Sequence, residues 1–424
     1  MNLEKRIDDL ISKMTLEEKI GQLNQISSAG EVGKLKELIK KGKVGSLIMA
    51  STCFAGSDEG GIAGVEYFKE LQRIAVEESR LGIPMIFGRD VIHGHHTVYP
   101  LPLAMASSFN DELVKTAYRN IASEAALDYI HWTFTPMLDL SRDPRWGRCV
   151  ESPGEDPYLG SRMAIAMIRG IQGDNLSDES SIAACAKHYI GYGASEGGRD
   201  YHHTDISEPS LHNFYLPAFN AAVKAGVQTV MNSFNEIGGQ PVASSRRLLT
   251  EVLRGELGFN GFVISDWCAI QQLKNHGVAE NDKQAAELSL NAGIDMDMVD
   301  ECYIDYVAEL IEEGKISIET LDNAVGNVLR VKLRLGLFEH PFAPKYETEH
   351  IRHARKLAGE SMVLLKNKNN VLPLKENERV ALAGPMATIK ETHLGTWTLD
   401  GDENDVTSIA EAMKAVGGNR VKCH

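Results

Sequence analysis

Short apolar runs recur through roughly the first three hundred residues, each bounded by glycine or polar positions and each followed by a stretch with helical periodicity. Val44 to Met49, Pro84 to Phe87, Trp132 to Met137, Ile182 to Ala186, Val227 to Met231 and Phe262 to Ile264 read as strands buried on both faces. Gly293-Ile294-Asp295-Met296 is a further strand candidate. Strands that alternate with helices on this scale predict an α/β chain built on a (β/α)8 TIM-like barrel rather than a doubly wound sheet. Polar residues stand where the apolar runs end, which places them at the mouth of such a barrel.

Ahead of these runs the chain reads as two amphipathic helices, and Thr15-Leu16-Glu17-Glu18 has the spacing of a capping box that starts the second. No internal repeat is visible. Around His340-Pro341-Phe342-Ala343-Pro344 two prolines break the helical pattern and mark a linker. The expected division is a barrel over 1–338, a linker over 339–356 and the beginning of a second α/β domain over 357–424. That last piece offers a helix near His350 to Leu365, a strand at Arg379 to Ala383, a helix near Ser408 to Val416 and a strand starting at Asn419. Too few elements are present to cover both faces of a sheet, so the piece reads as the stub of a longer domain.

The chain of 424 residues is 43% hydrophobic, enough for a large core, and its net charge of −15 with no basic stripe speaks against nucleic acid. No apolar run reaches membrane-spanning length, and the charged start, Met1-Asn2-Leu3-Glu4-Lys5-Arg6, lacks the apolar centre of a secretory leader; a cytoplasmic location is expected. The six cysteines lie far apart without a CxxC pair and read as free thiols. No Gly-Lys-Ser/Thr loop is present, and His202-His203 lacks a third spaced ligand, so neither a cofactor nor a metal is expected.

The chemistry concentrates at the strand ends. Asp266, in Ile264-Ser265-Asp266-Trp267, is a carboxylate with an aromatic neighbour, a pairing that suits carbohydrate; spacing alone leaves open a helix N-cap. Asp90 can accept from two neighbouring hydroxyls or pair with Arg89, and Arg148, Lys187 and His188 are donors placed after other strands. Met231 closes its apolar run and is a candidate lining residue, while Trp267 and Trp146 could stack on a sugar face or fill the core. The segment Gly197 to Asp205 is polar, rich in titratable groups and suited to a loop over a pocket.

In order along the chain, Gly88 to Gly94, Arg145-Trp146-Gly147-Arg148 with Gly154-Glu155-Asp156-Pro157, Ala186-Lys187-His188, and Val263-Ile264-Ser265-Asp266-Trp267 resemble the signatures of glycoside hydrolase family 3, in particular its β-glucosidase-like members. The likeness runs from Met14 to about Gly401, and Glu360 to Asn367 looks like the start of that family's α/β sandwich domain. The resemblance implies a retaining exo-acting hydrolase that releases terminal glucose from β-glucosides. Asp266 would be the nucleophile, and Asp90, Arg148, Lys187 and His188 would hold the sugar. Three departures stand out: Phe234 where many relatives carry tyrosine, His202-His203 at the rim, and an acid/base glutamate whose position would fall beyond residue 424. The Asp200 and His202 pair is the local candidate for the His/Asp dyad of N-acetylglucosaminide-cleaving relatives. Two alternatives remain at this point: a β-xylosidase, or a sugar-binding fragment that no longer catalyses. The expected partner is an oligosaccharide or β-glucoside, with a second copy or a complementing C-terminal half left open.

Overall fold

A computed structural model describes residues 2–28, 32–49, 64–345, 350–375 and 378–423. Eight parallel strands follow one another around a closed ring: β1 (Asn24–Ser27), β2 (Ser46–Ile48), β3 (Ile86–Arg89), β4 (Trp132–Thr133), β5 (Cys185–Tyr189), β6 (Thr229–Asn232), β7 (Phe262–Ile264) and β8 (Asp297–Met298). Ladders join β8 to β1 and run on to β4, and from β5 to β7. Single bridges, Trp132 to Ala183, Met137 to Lys187 and Ile264 to Met296, complete the circle. Helices cross between the strands on the outside, as the alternation predicts. No helix among the described residues is long and apolar enough to cross a membrane.

The first strand is the element that the sequence pattern misses, because Asn24, Gln25 and Ser27 are polar. Asn24 and Gln25 are buried; Asn24 donates to the Lys43 carbonyl, and Gln25 begins a chain of hydrogen bonds across the barrel floor. Gln25 Nε2 donates to Ser46 Oγ at 2.8 Å, and Ser46 Oγ donates to the Ile86 carbonyl at 2.9 Å. Higher up the interior is aromatic: Trp132 meets Phe134 and Phe262 edge-on with centroids 4.8 and 4.9 Å away, and its indole N–H donates to Thr229. Gly88 makes room for these rings, since a Cβ there would stand 2.8 Å from Phe134 Cζ.

The capping box forms as expected: Thr15 accepts from Glu18 N, and Glu18 accepts from Thr15 N, at the start of the helix Leu16–Gln22. At the far end, the helix Ile318–Arg334 closes over the barrel floor. Its fully buried Lys332 donates to Gln22 Oε1 and to the Gly45 carbonyl, both at 2.8 Å, and burial pushes its pKa down to about 7.

Beyond the barrel, residues 340–345 form neither helix nor strand, and 346–349 lie outside the described residues. The helix Ile351–Glu360 then packs on the barrel, with His353 Nε2 hydrogen-bonded to the Leu113 carbonyl at 3.1 Å. It ends five residues short of the expected Leu365, and Met362 to Leu365 are instead non-helical and exposed. A parallel pair, Val380–Leu382 with Val421–Cys423, and a crossover helix Ile409–Gly417 complete the second piece, in register with its expected elements. Cys149, Cys185, Cys302 and Cys423 are free thiols, and Cys53 lies outside the described residues.

Replacing Lys332 with alanine strands two buried acceptors and opens a void beneath β2. The expected loss is roughly 2–4 kcal/mol, checked by equilibrium denaturant unfolding of the variant beside its parent.

Candidate active site

Asp266 emerges at the end of β7 because Phe262-Val263-Ile264 is wholly buried and Ser265 turns the chain outward, its N–H donating to the Met296 carbonyl. The carboxyl is held at one oxygen only. Oδ1 accepts from Trp267 N at 2.6 Å, Asn232 Oδ1 at the end of β6 accepts from the Asp266 amide, and buried Oδ2 has no hydrogen-bond partner. His188 Nε2 lies 3.4 Å from that free oxygen, a contact without hydrogen-bond alignment.

Four side chains surround this carboxylate, and each is anchored elsewhere. Lys187 donates to Asp90 Oδ1 at 3.3 Å. Arg148 is bound in a fork by Glu151, at 2.8 and 3.0 Å, and lies over the Tyr192 ring. Asp139 accepts from both His188 N and His188 Nδ1, at 2.9 and 2.7 Å, which fixes the imidazole so that Nε2 faces Asp266. Burial, with the cations Arg148 and Lys187, holds the His188 pKa well below its ordinary value, so the ring is neutral.

The same burial raises Asp266 to about 6, opposed by Arg148 and Lys187 and by the Trp267 amide, and reinforced by Asp90. Both cations spend their shortest contacts on their own carboxylates. Asp266 therefore receives only longer-range help and remains a desolvated carboxylate with one bare oxygen.

The expected residues thus divide. Asp90, Arg148, Lys187, His188 and Asp266 come together around one pocket. Trp267 sits beside them, half-buried and packed against the barrel core. Met231 is buried in that core, one residue before Asn232, and makes its contribution by packing. Asp90 pairs with Lys187 rather than Arg89, which turns to Asp400 instead. Trp146 is fully buried, not free to stack on a sugar; it packs with Met137, Tyr192, Phe234 and Ala269.

The Asp200 and His202 dyad does not form. Asp200 accepts from the Trp146 indole at 3.1 Å and from the Tyr192 hydroxyl, while it is His203 that pairs, with Glu236 at 2.5 Å. Sequence reasoning missed Glu151, Asp139 and Asn232. Glu151 carried a signal in its three-residue spacing from Arg148, and Asp139 stands two residues past an expected strand.

A closed parallel barrel with a part-bare carboxylate and fixed cations at its carboxyl mouth defines the class of fold, a (β/α)8 barrel whose charged groups gather at the carboxyl ends of its strands. Residues 15–331 match the Glycosyl hydrolase family 3 N terminal domain, and residues 362–422 match the family's C-terminal domain. The chain belongs to glycosyl hydrolase family 3. It is 40% identical to a periplasmic beta-glucosidase of Salmonella typhimurium, a match covering 97% of this chain and 54% of the relative. It is 35% identical to a putative beta-xylosidase of Formosa agariphila, over 91% of this chain and 54% of that protein. Among solved structures, beta-glucosidase from Listeria innocua in complex with isofagomine superposes with a TM-score of 0.90 at 40% identity, over 99% of this chain and 59% of that one. The chain therefore spans little more than half the length of these relatives.

The raised carboxyl has a consequence for stability. Asp266 titrates at about 6 in the fold against an ordinary 3.8, so between these values the folded chain binds the proton more tightly than the unfolded chain, and ionisation works against the fold. Asp266→Asn is expected to raise the melting temperature at about pH 8, by the equivalent of roughly 3 kcal/mol, and to lose the advantage below about pH 4. Calorimetric scans of both proteins across that range read the difference.

Proposed function

We propose that this chain carries the nucleophile and sugar-holding half of a retaining, exo-acting β-glucosidase. The bare Oδ2 of Asp266 carries the reading: it is a buried carboxylate oxygen left without a partner beside groups that could orient a sugar. Asp139 Oδ1 is bare as well, but that carboxylate is bound to His188 through its other oxygen; what sets Asp266 apart is that its bare oxygen lies at the barrel mouth among Arg148, Lys187, Asp90 and His188.

In this reading, Oδ2 attacks the anomeric carbon as the bond to the leaving oxygen breaks, giving a glycosyl ester on Asp266. A proton reaches the leaving oxygen from a carboxylic acid. Water then opens the ester, returning its proton to that acid and freeing Asp266. Asp90, Lys187, Arg148 and His188 hold the sugar hydroxyls, with Asp90 accepting and the cations donating.

None of the three carboxylates near the nucleophile suits the acid's role. Asp90 is spent on Lys187, Glu151 is held ionised, against its burial, by Arg148, and Asp139 is buried behind His188, from which it accepts two hydrogen bonds. We assign the proton donor to polypeptide beyond these residues, in a longer chain or a complementing one. A β-xylosidase is the second reading, favoured by the 35% identity to the Formosa protein of that name.

Hydrolysis of 4-nitrophenyl β-glucoside beside the xyloside and N-acetylglucosaminide checks the assignment. The glucoside should be turned over fastest, and Asp266→Asn should lower its rate on the order of a thousandfold or more. Preference for the xyloside would move the assignment to the second reading. Saturable sugar binding with no turnover, by a folded chain, would leave only a binding protein.

A further inference from the structure

One loop of the second piece reaches the pocket. Asp400 is bound in a fork by Arg89, Nε to Oδ2 at 2.7 Å and NH2 to Oδ1 at 2.8 Å, and Arg89 is 1% exposed at the end of β3. His95 Nδ1 adds an ion pair to Asp400 at 3.1 Å, and the Thr396 carbonyl lies 2.7 Å from His93 Nε2. Burial opposes a charge on His95, but Asp128 and Asp400 outweigh it and lift its pKa to about 9, so the ring bears a positive charge.

Between these two anchors stands Trp397. Its ring centroid is 5.4 Å from Lys187 Nζ and 6.0 Å from the Arg148 guanidinium carbon, and its side chain helps keep Glu151 ionised. Its backbone is left-handed, with φ of 58°, a conformation that a bulky residue keeps only when its surroundings impose it. Trp397 therefore touches both cations that face Asp266, from a segment more than two hundred residues away along the chain.

The neighbouring His95, His96 and Asp128 bring three potential metal ligands together. Both imidazole Nε2 atoms lie at hydrogen-bond distance from Asp128 Oδ2, 2.7 and 2.8 Å, so the triangle is closed by protons and serves to hold His95 against Asp400.

We propose that Trp397 is a positioning residue for the cations Lys187 and Arg148, clamped over them by Asp400 in the grip of Arg89 and His95, so that the barrel's sugar site is finished by the second piece. The inference rests on reading this pocket as the sugar site. The cations lean on their carboxylates from below and on the indole from above, and removal of the indole lets them move away from Asp266. The groups that face Asp266 are then unchanged in kind, namely Arg148, Lys187, Asp90 and His188, but less closely held.

The test is the pH dependence of Asp266 labelling by a dinitrophenyl 2-deoxy-2-fluoroglucoside, whose leaving group requires no proton donor. Trp397→Ala should slow labelling by roughly tenfold and move its acidic limb to higher pH, and Trp397→Phe, which keeps a ring, should restore both. Asp400→Asn, which leaves the indole but loosens its clamp, should shift the limb in the same direction. A slower rate with an unmoved limb, or a phenylalanine variant as impaired as the alanine one, would overturn the proposal. If the parent chain is not labelled, the hydrolase reading fails, and calorimetric titration with glucose decides the positioning role separately. Weaker binding in Trp397→Ala, restored in Trp397→Phe, supports it; equal binding, or a parent that binds no glucose, sinks it.

Discussion

Everything at the mouth of this protein depends on the ring of strands closing, and the closing joint is small. Two residue pairs, Asn24 with Asp297 and Gln25 with Met298, bring β8 back to β1. Without that joint the strand ends would not converge, and Asp90, Lys187 and Asp266, from β3, β5 and β7, would not share a pocket. The joint is also the most polar part of the barrel wall. Its side chains bond away from the joint, Asn24 to the Lys43 carbonyl, Gln25 to Ser46 of β2, and Asp297 to the amides of Asp300 and Tyr303, at the expense of the apolar burial that the other strands enjoy.

The electrostatics at the mouth follow a rule of separate pairings. Arg148 has Glu151, Lys187 has Asp90, His188 has Asp139, and Asp266 has no close cation of its own. A carboxylate in a fork with arginine is held so firmly in its ionised, hydrogen-bonded form that it makes a poor nucleophile. The arrangement leaves Asp266 ionisable near neutrality while its free oxygen keeps its lone pairs for another atom.

Much of this was legible from the residues. Val, Ile and Phe runs marked six strands, while the further candidate Gly293 to Met296 stopped just short of β8 at Asp297–Met298, and a polar residue after such a run marked the pocket, since only the strand's end can expose it. Asn24 and Gln25 escaped because each is buried with a partner, the Lys43 carbonyl and Ser46, that no local pattern reveals. Trp146 and Trp267 look alike in sequence, yet one is entombed beside Tyr192 and the other flanks the carboxylate; that difference is tertiary packing. Asp139 could be found only by knowing that His188 turns toward it. Arg89 is the sharpest case: next to Asp90, it reads as that residue's counter-ion, but strand alternation points the two to different sides and sends Arg89 to the second piece.

The second piece leaves Met362, Val363, Leu364 and Leu365 between 60% and 90% exposed, an apolar ledge on an otherwise acidic, water-loving molecule. The barrel's core owes nothing to that ledge, whereas the loop bearing Trp397 and Asp400 belongs to the same poorly covered piece. Foldedness and competence can therefore part company in this chain. A protease nick or adhesion to a surface near the ledge would leave the barrel's helices in place while stripping the mouth of its cover and leaving buried Arg89 without its carboxylate, and a preparation could keep its helical signal with an unfinished pocket.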